Sequence, residues 1–143
     1  MLRVLTNLNL LNRQDLTASA GLIASGYTGT WANIETDQLE LSDADEFALG
    51  VIWTESYRDG TIGSWTPDVD GTGKLTIIWG KFRALTDQFT GTPAVGAALK
   101  VSAAGKLLTG TQYTDYIVAY CTKASHTIEH LGSSHTVIEF VTV

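Results

Sequence analysis

The sequence predicts an all-β domain, a compact antiparallel barrel or sandwich, from three observations. Thr, Val, Ile, Trp and Tyr are abundant, Gly-containing breaks recur at short intervals, and long helical patterns are missing. The 143 residues suit one domain. A domain of this size buries roughly two-thirds of its unfolded surface, enough for a core without disulfides or metal. With 44% hydrophobic and only 17% charged residues, the composition argues against intrinsic disorder.

Residues 1–25 read differently from the rest, and 26–143 read as a single β domain. Leu2, Leu5, Leu8 and Leu11 recur every third residue, while Asn7, Asn9 and Asn12 lower helix propensity. A short helix or an extended arm fits this pattern. An arm lying across a neighbour would touch it with Leu2, Val4, Leu5 and Leu8. The plainer alternative is a segment folded against its own domain. On the arm reading, removing the first dozen residues leaves the β domain folded and weakens its attachment.

Phe47–Tyr57 reads as the first strong strand, with Gly50 as a bulge position. Residues 58–73 follow as a loop rich in turn chemistry. Lys74–Leu85 is the strongest strand. Leu75, Ile77 and Trp79 share one of its faces with Lys81, and Ile78 and Phe82 share the other with Thr76 and Gly80. Both faces are largely apolar, so the strand is expected to be covered on both sides. Ala97–Val101, the turn Ser102–Gly105 and Lys106–Thr109 form a short strand and its return. Tyr116–Thr122 and His135–Val143 complete the series.

A net charge of −6 with only 9 Lys and Arg, scattered singly, excludes a phosphate-neutralising surface. Neither nucleic acid nor an anionic membrane is an expected partner. No apolar stretch is long enough to span a bilayer, and a soluble protein is expected. The lone Cys121 lies in an apolar strand and reads as a buried, inert thiol.

The search for chemistry leaves no catalytic set and no cofactor motif. Asp68-Val-Asp-Gly71 begins like a calcium loop, yet Gly71 comes early and the twelfth position is Trp79 rather than a glutamate. A hairpin turn is the plainer reading, with Asp43, Asp45 and Glu46 as a second acidic cluster. His126, His130 and His135 lack a Cys partner or a metalloprotease pattern, so they read as surface or loop histidines. If they cluster at a symmetry axis, they could bind metal. Glu55 and Asp59 flank Tyr57 without any sign that they face across a cleft. Of the four tryptophans, Trp53 and Trp79 sit in strong strands and read as core. Trp31 and above all Trp65, in a Gly-rich loop, are the candidates for an exposed contact.

From Pro93 onward the order of elements resembles small capsid decoration, or cement, proteins of tailed bacteriophages. The carrying residues are Val95-Gly-Ala-Ala-Leu-Lys-Val-Ser-Ala-Ala-Gly-Lys-Leu107, the strand Ile117–Cys121 and the terminal strand Val137–Val141. Upstream, Phe47–Trp53 is similar to the strand that often precedes this block. The resemblance covers about the last 50 residues and rests on hydrophobic strands and glycines. It implies a β-tulip-like or barrel domain without catalytic residues, assembling as a homotrimer on the outer capsid face, bound to the major capsid protein. The alternatives are a carbohydrate-binding, lectin-like domain using Trp65 or Trp31, and another virion part such as a tail or fibre protein.

Overall fold

The computed structural model describes residues 2–6, 12–19, 22, 28–42, 48–53, 73–130 and 132–143. Among them are eleven strands: β1 (Leu2–Val4), β2 (Asn12–Thr17), β3 (Trp31–Glu35), β4 (Gln38–Leu41), β5 (Gly50–Ile52), β6 (Lys74–Trp79), β7 (Arg83–Thr86), β8 (Ala98–Val101), β9 (Leu107–Thr109), β10 (Ala119–His130) and β11 (Ser133–Thr142). They form a six-stranded sheet, ordered β1-β7-β11-β10-β8-β9, and a five-stranded sheet, ordered β2-β6-β5-β3-β4. The two sheets are antiparallel and pack together as an all-β sandwich; they do not make a closed barrel.

The expected long strand over Lys74–Leu85 is two strands in different sheets. Gly80, at φ 101°, turns the corner between β6 and β7. The Thr142 hydroxyl pins this corner, accepting from the Phe82 N–H at 2.8 Å and donating to the Gly80 carbonyl at 2.6 Å. β6 is covered on both faces, as its pattern predicts. Ile78 joins a cluster between the sheets with Trp31, Val51, Phe82, Leu99, Ile138 and Phe140. Leu75 and Ile77 join a second cluster on the opposite face with Ala32, Leu39 and Ile52. Phe140 anchors the first, its ring centroid 6.4 Å from Trp31 and 6.0 Å from Phe82.

Small residues set the closest approaches. A Cβ on Gly50 would stand 2.4 Å from the Ile78 carbonyl oxygen, so only glycine lets β5 lie against β6 there. Gly105, in the turn between β8 and β9, joins the two sheets. Its carbonyl accepts the Trp31 N–H at 2.7 Å. Its φ of +66° and a Cβ position 2.7 Å from the Trp31 carbonyl both exclude a side chain.

The described part of residues 1–25 is mainly two paired strands, with Leu22 alone in helical conformation, and not a free arm. β1 is an edge strand paired with β7 in the register Leu2–Thr86, and β2 is an edge strand paired with β6 in the register Asn12–Trp79. Leu2 is buried in the core between the sheets. These two strands thus follow the alternative in which the segment folds against its own domain. Removing the first dozen residues would strip an edge strand and a core side chain, a loss expected to lower the stability of the β domain. The two edges of the five-stranded sheet also approach each other, through a bridge between Ala18 and Leu39.

Candidate interaction surface

The expected contact residues fall into three groups. Leu2 and Trp31 are interior, at 7% and 5% exposure, with their apolar surface packed in the core rather than presented outward. Val4 is half-buried against that core, and Leu5 is 42% exposed. Leu8 and Trp65 lie outside the described residues, as do the acidic clusters Asp43–Glu46 and Asp68–Asp70 and the Glu55–Asp59 pair.

Chemistry finds little to work with. Cys121 is buried, and burial pushes its thiol up from its ordinary pKa, away from the thiolate a nucleophile needs. His126, Ile128, His130 and His135 are half-buried along one face of the β10–β11 hairpin. The His130 and His135 rings stand edge to face at 6.1 Å, and His135 Nδ1 lies 3.0 Å from Asp87 Oδ2. No group of three or more His, Cys, Asp or Glu side chains among the described residues could hold a metal ion. On the outer face of the six-stranded sheet, the buried carboxylate of Glu139 meets the Arg83 guanidinium and accepts the Thr122 hydroxyl at 3.3 Å. This arrangement ties β7, β11 and β10 together.

Among the described residues, a set of exposed apolar side chains lies elsewhere, at the end of the six-stranded sheet where β10 begins. Tyr113 is 97% exposed and Tyr116 63%, both on the connection between β9 and β10. Asp115 holds this connection in place. One of its oxygens accepts the Thr111 N–H at 2.7 Å and the other accepts the Lys100 ammonium at 2.9 Å. The Thr111 N–H first, and then Lys100, hold the Asp115 carboxyl below its ordinary pKa. Backbone bonds from Thr114 and Asp115 to the Thr111 carbonyl close the turn.

Tyr113 itself sits at φ 70°. A non-glycine residue in that left-handed region costs about 1–2 kcal/mol. The turn keeps an aromatic ring in water at a backbone cost, and such strain gathers where side chains have work to do. Gln112 reaches back to the Tyr120 hydroxyl at 3.4 Å, fixing the connection over the sheet. Val143, also exposed, lies beside the start of β10, its N–H bonded to the Val118 carbonyl, whereas the exposed Val95 precedes Gly96, which bonds farther along at Cys121. Tyrosine joins a large apolar ring to a polar tip and loses little rotamer entropy when it binds. In the sequence the tryptophans stand out as contact candidates and these tyrosines do not. A partial signal was the Thr111–Asp115 spacing around Tyr113, but the Lys100 contact that completes the turn comes from a separate segment.

No family model matches this chain, and neither the curated proteins nor the solved structures contain a match to it.

Proposed function

We propose that this protein is a non-catalytic binding domain that decorates the outer face of a viral capsid. It would engage the major capsid protein through the end of the six-stranded sheet that carries Tyr113, Tyr116 and Val143. The observation that carries the reading is the fixed display of Tyr113 in water on a turn built by Asp115. That turn lies within Pro93–Val143, the part of the sequence that resembles decoration proteins. Interfaces depend on a few aromatic anchors in rigid settings, and a stiff sandwich supplies the setting. The acidic balance suits a protein that stays clear of the packaged genome.

The test is the copy number of this protein in purified particles, relative to the major capsid protein, by quantitative mass spectrometry. About one copy per capsid subunit is expected. In rebinding to stripped shells, Tyr113→Ala should weaken attachment about thirtyfold, the equivalent of about 2 kcal/mol at a hot spot, with an unchanged melting transition. A few copies or none would sink the capsid reading. Glycan binding lost with Tyr113→Ala would instead establish the lectin-like alternative.

A further inference from the structure

The β10–β11 hairpin outruns its own sheet. β8 pairs with β10 only at Ala119 and Tyr120, and β7 pairs with β11 only from Ile138 to Val141. Pairing between β10 and β11 continues to His130 and Ser133. The neighbouring segment's hydrogen bonds stop at Cys121, whose N–H and carbonyl meet Ala97 and Gly96. Beyond the register shifts between Cys121 and His126, the outer edge of His126–His130 has no strand beside it among the described residues. Such an edge is a template for another strand, and a lone two-stranded ribbon is only marginally stable in water.

The register fixes which groups face outward. Two residues connect His130 to its partner Ser133, which makes that pair the last hydrogen-bonded one. By alternation, the N–H and carbonyl groups of His126 and Ile128 point toward β11, and those of Thr127 and Glu129 point away from it. The segment His126-Thr-Ile-Glu-His130 is nearly the same read in either direction. We infer that its occupant is a second copy of this chain, added antiparallel about a two-fold axis through Ile128.

In that register Thr127 of each copy faces Glu129 of the other, and each pair exchanges two backbone hydrogen bonds. The threonine hydroxyl donates to the facing carboxylate. The Ile128 side chains meet at the axis, in the close, non-hydrogen-bonded pair, with His126 opposite His130 on either side. Centring the axis on Glu129 would set two carboxylates directly opposite each other, which destabilises. The irregular stretch before His126 ends the flat edge after five residues, so the contact closes as an isologous pair. This contact is independent of whatever surface Tyr113 binds, and it differs from the three-fold assembly implied by the resemblance.

Sedimentation velocity on the full chain should show a concentration-dependent species of twice the mass of one chain. Ile128→Cys should give a disulfide-linked dimer on mild oxidation, because the facing Cα atoms lie about 4.5 Å apart, within disulfide range. Thr136→Cys, exposed on β11 of the same ribbon, should not. Thr127→Pro removes one outward N–H per chain and should abolish the dimer with the melting transition kept. A monomer at every concentration, or a trimer whose Ile128→Cys variant stays reduced, would overturn the proposal.

Discussion

From Ala119 to Cys121 and from Ile138 to Thr142, the β10–β11 hairpin lies between neighbouring strands. Ala119, Cys121, Ile138 and Phe140 are at most 1% exposed there. From His126 to His135 no further strand flanks the same two among the described residues, and Thr127, Glu129, Ser134 and Thr136 face water. Both halves are equally regular in their pairing. What differs is whether the inward side chains are apolar enough to draw further strands against them. The alternation of Val, Ile and Phe in the first half recruits β7 and the opposing sheet. The Thr, Ser and His of the second half draw in the Asp87 side chain, through His135, but no further strand among the described residues.

The contrast can be broken most severely at its buried end. Phe140→Ala should destabilise the fold by about 3–5 kcal/mol in chemical denaturation, through lost burial and a cavity beside Trp31 and Phe82. A loss under about 1 kcal/mol would show that the sandwich core is centred elsewhere. Gly105→Ala comes next. The left-handed backbone alone costs about 1–2 kcal/mol, and the clash with the Trp31 carbonyl adds to it. The midpoint should fall clearly, and an unchanged midpoint would mean that the β8–β9 turn is not seated on β3. At the open end, Thr136→Ala removes one cross-strand pair with Thr127 and should cost only about 0.2–1 kcal/mol.

The smallest effect concerns the Tyr113 turn. Asp115→Asn should speed exchange of the Thr111 amide at neutral pH with little change in global stability. Because the Asp115 carboxyl titrates below its ordinary range, its contribution is present at neutral pH. In the native protein that contribution is lost as the pH falls through the depressed pKa. The two proteins should therefore exchange alike in acid, and a difference persisting at the lowest pH would assign the effect to shape rather than charge.

Strands with a clear alternation or an unbroken apolar run were legible in the sequence. β6 shows its two covered faces, the Ser102–Gly105 turn shows the β8–β9 hairpin, and β11 shows its apolar alternation. The β3–β4 hairpin escaped notice because its turn residues, Thr36 and Asp37, adopt φ 47° and 65° without the glycine that usually marks such a turn. β2 was hidden by its polarity, since Asn12–Thr17 mostly faces water, and Asp15 accepts the Thr76 hydroxyl at 2.7 Å. The far half of β10 was hidden in the same way, its histidines reading as loop. The leucine spacing near the amino terminus suggested a helix or arm, whereas pairing with distant strands decides its conformation. No local pattern carries that information. The candidate surface was missed for a related reason, because Tyr113 matters through a turn that Asp115 and Lys100 build from separate segments.

The long-range pairing of the first strands bears on the order in which the chain is made and folded. β1 is synthesised before the other described strands, yet its seat is β7, in the register Leu2–Thr86, and β2 must wait for β6. Until those partners arrive, Leu2 and Leu16 have nothing to cover them. Topologies dominated by distant pairings fold on the slow side, in about milliseconds to seconds. The amino-terminal strands are synthesised early and placed late, and through that interval the nascent chain presents two unpaired strands to whatever else is nearby.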